Sequence, residues 1–194
     1  KEERVFDSSI KAYHNDIKVN NEALDPETIT ILLNKPSGFI CSHNDAGSLI
    51  YALIPQRWNR RNPKISTIGR LDVDTTGAII LTDDGALNHK LSSPKSDVSK
   101  VYEATLAVPL KGDEKEIFAS GELMLNGEKK PLLPAKLEVL GETHVRLEIC
   151  EGKYHQVKRM FAAVGNRVLT LHRVSFGGFT VEDLKEGEYK FIEL

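Results

Sequence analysis

Apolar positions along this chain fall into short runs and alternations rather than long helical stripes. Segments 29–33, 38–41, 65–71, 78–82, 100–108, 135–140, 144–150, 168–172 and 189–192 read as strands. They are rich in Val, Ile and Leu and bounded by Gly, Pro, Asn or Asp, the residues that make turns. Segments 48–54, 85–91, 113–119 and 154–164 read as short helices. In the last of these, Val157, Met160, Phe161 and Val164 recur at i, i+3, i+4 and i+7. That spacing makes an apolar stripe on one face, leaves Lys158 and Arg159 off its centre, and puts Gly165 where a helix ends. Many strands and few helices, joined by short turns, predict an α+β fold: a mixed, largely antiparallel sheet flanked by short helices. Residues 1–24 are different. They are polar, with one short strand over 16–20 that has little to pack against, and Asp25-Pro26 marks a boundary before the first apolar strand.

The length of 194 residues suits one well-cored domain, or one domain with a small appendage. No apolar run is long enough to cross a bilayer as a helix, so no membrane partner is expected. Cys41 and Cys150 form no CxxC pair and the six histidines have no zinc spacing, which fits a reduced, cytoplasmic protein. No segment resembles an oligomerisation element, and a monomer is expected. The net charge of −2 argues against a generally cationic surface. Locally the balance changes. Glu151 to Phe176 carries five cations (Lys153, Lys158, Arg159, Arg167 and Arg173) against the single acid Glu151, and Arg57 to Arg70 carries five with no acid among them. Local basic surface is what phosphate binding requires, although a solvated face has the same composition.

The segment Gly69-Arg70-Leu71-Asp72-Val73-Asp74-Thr75-Thr76-Gly77 concentrates the chemistry. A strand runs into a Gly-bounded turn holding a cation, two carboxylates and two hydroxyls. Such a turn can project a carboxylate from a rigid sheet toward a cleft. The same residues can also do no more than bond the turn backbone. Composition alone does not separate Asp72 from Asp74, and with Asp83 and Asp84 nearby it also permits a magnesium site.

The segment GRLDVDTTG resembles the catalytic motif of RNA pseudouridine synthases, in the small-ribosomal-subunit (RsuA-type) branch. Four more segments resemble that family in the same order: Asn34-Lys35-Pro36-Ser37-Gly38, Leu81-Thr82-Asp83-Asp84-Gly85, Lys100-Val101-Tyr102, and the helix opening from Glu151 to Met160. The continuation through Asn166 and Leu171-His172-Arg173 looks more like the small-subunit enzymes than their large-subunit relatives. The resemblance implies a pseudouridine synthase catalytic domain over 26–194. Members of this branch usually begin with an S4-type RNA-binding module, and 1–25 looks like its remnant or linker.

By the same resemblance Asp72 is the catalytic aspartate and Asp74 is structural. Tyr102 lies against the target base, Lys158 pairs with the aspartate with Arg159 as the adjacent alternative, and Arg70 holds the flipped nucleotide or its phosphate. The implied activity converts a specific uridine of small-subunit ribosomal RNA, free or in an assembling particle, to pseudouridine. It gains no atom and changes no oxidation state, so neither cofactor nor metal is expected. The alternatives are a large-subunit synthase, a catalytically silent RNA-binding or assembly domain, and a metal-dependent phosphodiesterase using the four aspartates.

Overall fold

A computed structural model of the chain describes residues 7, 9–93 and 96–193. The continuous apolar runs of the sequence become the centre of the sheet. In β3 (Thr30–Lys35) and β5 (Thr76–Thr82), alternate residues enter two different cores. Ile31, Leu33, Ile79 and Leu81 face the larger one, while Leu32, Ala78 and Ile80 face the smaller. A strand covered on both sides has no polar face to show, hence no alternation. By contrast β6 (Lys100–Leu106), β7 (Lys136–Val139) and β8 (His144–Ile149) are covered on one side only. Val145, Leu147 and Ile149 point inward while Arg146 points out to Glu103 and Glu138.

The main sheet runs β11 (Tyr189–Phe191), β3, β5, β9 (Val168–Phe176), β6, β8, β7. Its pairings are antiparallel except between β5 and β9, which run parallel at Thr76–His172 and Gly77–Arg173. Two short strands extend it: β4 (Ser66–Thr67) beside β5 and β10 (Phe179–Thr180) beside β9. The larger core is closed by α2 (Glu114–Ala119) through Phe118 and by α3 (Gln156–Ala163) through Val157, Met160 and Phe161. On the opposite side, Leu87 and Leu91 of α1 (Gly85–Ser92) pack on the smaller core. The expected α+β class and largely antiparallel sheet are what the chain forms.

Several expected elements are shorter than expected, for local reasons. Segment 38–41 makes only an isolated bridge, Ile40 to Leu49, because the Gly38 N–H is committed to the Val73 carbonyl at 2.8 Å. Segment 65–71 keeps only β4 as strand, since Gly69 turns the chain at φ +69°. Helix 48–54 is a 3₁₀ turn over Ile50–Leu53, and 154–164 becomes helical only at Gln156, because His155 is left-handed. At its other end α3 closes as expected: the Gly165 N–H donates to Ala162 and the Asn166 N–H to Phe161, a Schellman closure. Near the N-terminus, β1 (Lys18–Val19) pairs with β2 (Glu22–Ala23) in a separate hairpin whose strand residues are all exposed. Of the N-terminal segment, residues 1–6 and 8 lie outside the described residues.

Gly77 fixes the parallel junction. A Cβ there would lie 2.2 Å from the Arg173 carbonyl oxygen, and its φ of +103° disfavours any L side chain. Gly77→Ala should therefore lower unfolding free energy by more than about 2 kcal/mol. Gly38→Ala, at φ +88° but with open space around it, should cost about 1 kcal/mol. Urea denaturation of the two variants checks the difference.

Candidate active site

The turn at 72–75 follows directly from the sequence: Gly69 ends one extended stretch, Thr76 begins β5, and the Thr75 N–H donates back to the Asp72 carbonyl at 3.1 Å. The turn is held from below by Lys35. This side chain is fully buried, and its ammonium donates to the carbonyls of Pro36 (3.1 Å), Val73 (3.2 Å) and Thr75 (2.8 Å). Burial pushes the Lys35 pKa below the ordinary lysine value. Its nearest charges include Asp74 and Asp72, which favour the ammonium, and Arg173, which opposes it. A point cation with three donors suits three carbonyls of one turn. The NKPSG segment is thus a clamp for the Asp72 turn.

The start of α3 supplies the other side. Lys158 Nζ donates to Asp72 Oδ2 at 3.0 Å and to Asp74 Oδ1 at 2.7 Å. Partial burial pulls the Lys158 pKa down, but the bonds to Asp74 and Asp72 outweigh it and the net shift is upward. The bond from Lys158 holds the Asp74 carboxyl below its ordinary pKa against the opposing effect of burial. His155 Nε2 lies 3.2 Å from Asp72 Oδ1, so cationic or polar nitrogens flank both oxygens of that carboxylate. His155 reaches it from a left-handed backbone (φ +47°, ψ +37°), a conformation costing about 1 kcal/mol in a non-glycine residue. Its ring stacks on the exposed ring of Tyr154 at 3.8 Å.

The sheet forms the floor. Register places Lys35 beside Gly77, Gly77 beside Arg173, Arg173 beside Tyr102 and Tyr102 beside Leu147. Paired residues project to the same face. Tyr102 and Leu147 share their core cluster with Val157, Met160 and Phe161 of α3, so this row lies on the face that α3 covers. Tyr102 is 8% exposed, and its hydroxyl accepts a long bond from Arg173 Nη1 at 3.4 Å.

Asp72 and Lys158 therefore meet, with Asp74 on the same lysine, and the row containing Tyr102 lies on the face that the same helix covers. Arg159 does not join them. Its guanidinium turns to Glu128 (3.0 Å) and to the carbonyls of Tyr154 and Asn126, tying the helix start to the 126–128 loop. Arg70 is exposed, with no ion pair among the described residues. The magnesium reading is corrected: Asp83 and Asp84 sit at the far end of β5 from Asp72. Asp83 pairs with Arg61 at 2.5 Å, and Asp84 caps α1 by accepting from Ala86 and Leu87. Among the described residues no group of three or more His, Cys, Asp or Glu is placed to hold a metal ion. The basic run 57–70 is also divided, since Arg57 is bound to Asp25 and Arg61 to Asp83, leaving Arg60, Lys64 and Arg70 exposed.

Motif resemblance alone assigns no role to Lys35, His155 or Arg173, yet their spacing carries a signal. Lys35 alternates with the inward-facing Ile31 and Leu33, Arg173 alternates with Leu171, and His155 stands three residues before Lys158. If the Lys35 clamp orients the turn, Lys35→Met should lower stability by about 2 kcal/mol through lost carbonyl partners. It should also speed amide exchange at Thr75, readable by hydrogen-exchange mass spectrometry or NMR.

Residues 29–163 match the family model for RNA pseudouridylate synthase. The ribosomal small subunit pseudouridine synthase A of Escherichia coli (strain K12) is 48% identical over 163 residues, covering 82% of this chain and 68% of that protein. The protein of the same name from Vibrio cholerae is 45% identical over 163 residues, covering 84% and 69%. A crystal structure of a pseudouridylate synthase superposes with a TM-score of 0.79 at 46% identity, over 86% of this chain and 71% of that one. A chain of an archaeal box H/ACA sRNP complex shares the fold at 18% identity and a TM-score of 0.54, over 78% and 48%. With the matched segment spanning the Asp72 turn, the Tyr102 strand and the Lys158 helix, the chain belongs to the RNA pseudouridylate synthase family.

Proposed function

We propose that this protein isomerises a uridine of small-subunit ribosomal RNA to pseudouridine in the cytoplasm, with Asp72 as the essential carboxylate. The observation that carries the reading is the convergence of Lys158 and His155 on Asp72, above a floor containing Tyr102. The small-subunit RNA is assigned from the names of the relatives, which are similar over most of this chain. Residues 26–194 act as the catalytic domain. Residues 1–25 serve as the linker from an S4-type module, a role supported by a hairpin whose strand residues are all exposed.

The chemistry follows from the site. A stacked base is out of reach, so the uridine is extruded into the cleft at a cost of roughly a few kcal/mol. Tyr102 recovers part of this by contact with the base, roughly 1–3 kcal/mol by analogy with single-strand binders. Because Tyr102 is nearly buried, it acts as a wall of the pocket rather than as a free platform. Asp72 supplies the carboxylate that nucleophilic or base chemistry at the sugar requires, and Lys158 Nζ donates to its Oδ2 at 3.0 Å. Asp74 shares the lysine and fixes its position. Arg70, exposed beside the turn, meets the phosphate of the extruded nucleotide, while Arg159 serves structure through Glu128.

Asp72→Asn should reduce pseudouridine formation by more than about 10³-fold with fold and RNA affinity kept, and Asp74→Asn should stay within about tenfold of wild type. Mapping pseudouridine in small-subunit RNA after single turnovers tests both, and reversed phenotypes would reassign the catalytic carboxylate. Tyr102→Phe should be much milder than Tyr102→Ala, which should lose about 10- to 100-fold. Equal losses would mean that the phenol itself moves a proton.

A further inference from the structure

Among the described residues, Arg173 is a buried cation without a counter-charge. It is 2% exposed, and its guanidinium donates through Nε to the Ala78 carbonyl at 2.6 Å and through Nη1 to the Tyr102 hydroxyl at 3.4 Å. Nη2 is buried with no hydrogen-bond partner. Four other side-chain atoms share that condition among the described residues: Asn34 Oδ1, Trp58 Nε1, Thr75 Oγ1 and Arg146 Nε. Three belong to neutral groups, and Arg146 is paired with Glu103 and Glu138. Arg173 alone in this set carries a charge that no carboxylate meets. Its neighbours make the imbalance worse. Lys35 lies two strands away in the same row of the sheet, and Lys100 shares the Phe176 ring with Arg173, their cationic atoms lying 5.6 and 5.0 Å from its centroid. Burial lowers the pKa of both lysines, and Arg173 lowers them further.

Three clustered cations without a paired acid are costly to the fold, because burying an unpaired charge opposes folding. Such a cost marks a place where negative charge arrives during function. The row position says where. Arg173 lies between Gly77 and Tyr102 in the row, on the face that α3 covers.

We propose that Arg173 contacts the base, its free Nη2–H donating to a carbonyl oxygen of the extruded uracil and stabilising the charge that develops there. The proposal rests on the pseudouridine synthase reading and adds a residue to it. When C1′–N1 breaks, the bonding pair leaves with the base, and its charge spreads over N1, O2 and O4. C5 then returns a pair to C1′, the C5 proton is lost and N1 gains one, so atoms and electrons balance without a redox partner. A fixed donor aimed at O2 or O4 strengthens as that charge grows, and therefore acts on the rate more than on binding. A planar guanidinium anchored by two other N–H groups keeps the donor in place.

The test is a substrate-by-enzyme cycle on small-subunit RNA in which the wild type forms pseudouridine, with the target uridine replaced by 2-thiouridine or 4-thiouridine. Sulfur is a weaker acceptor than oxygen, and its intrinsic effect on the chemistry is common to every enzyme variant. Arg173→Met should fold with an unfolding midpoint no lower than wild type, since it removes an unpaired buried charge. It should bind RNA within about threefold and lose about 10²–10³-fold in the saturated single-turnover rate. The thio substitution at the contacted oxygen should slow the wild type by a larger factor than Arg173→Met. Equal slowing of both enzymes by both analogues, or a wild-type rate in Arg173→Met, would overturn the assignment. Should Arg173→Met fail to fold, Arg173→Lys keeps the charge without the fork and enters the same cycle. A wild type that makes no pseudouridine refutes the function reading itself, whereas an active wild type with an additive cycle refutes only the role of Arg173.

Discussion

The Lys35 ammonium organises more of this molecule than any other single group. It sits at the end of a strand buried on both faces and reaches the carbonyls of Pro36, Val73 and Thr75. Those three bonds join two loops from different strands. Gly38 adds a fourth link by donating to Val73. The Asp72 turn is consequently fixed by backbone atoms, and its carboxylate is left for Lys158 and His155. A catalytic group works best when its support is rigid and its own polar atoms are not spent on that support. Here the division is clean: the turn's carbonyls face the Lys35 clamp and its carboxylates face Lys158 and His155.

Charge distribution follows the same economy. The chain is weakly acidic overall, yet cations gather in and around the site. Some are neutralised there, as Lys158 is by Asp72 and Asp74 and Arg159 by Glu128. Others, notably the buried Lys35 and Arg173, form no ion pair among the described residues. Attraction for a polyanion therefore comes from local groups rather than from net charge. Of the two basic runs visible in the sequence, 57–70 is partly a fastening, Arg57 and Arg61 tying the segment around Asp25 and the end of β5 while Arg60, Lys64 and Arg70 stay exposed.

Much was legible in advance, and the reasons are physical. Short apolar runs between turn residues located β3, β5, β6, β8 and β9, because a strand's side chains report its surroundings at every second position. The stripe of Val157, Met160 and Phe161 located α3, and Gly165 located its end. The overestimated strands at 38–41 and 65–71 contain apolar residues that are buried without a ladder, since Cys41, Ile68 and Leu71 pack into cores from loops. Burial and strand pairing are separate facts, and hydrophobicity reports only the first.

What the sequence determined by itself was the main strands and the helix closed by Gly165, while the pairing of Lys158 with Asp72 was implied only by the family resemblance. Local propensity and periodicity are written residue by residue, so they can be read that way. The tertiary structure decided which charges meet. It separated Asp83 and Asp84 from Asp72, turned Arg159 toward Glu128 while Lys158 took the carboxylates, and brought His155 to Asp72 from a left-handed backbone. It also aligned Lys35, Gly77, Arg173 and Tyr102 in one row across four strands. The paired residues of that row lie 42 to 96 positions apart in sequence, and only strand order and register fix such distances.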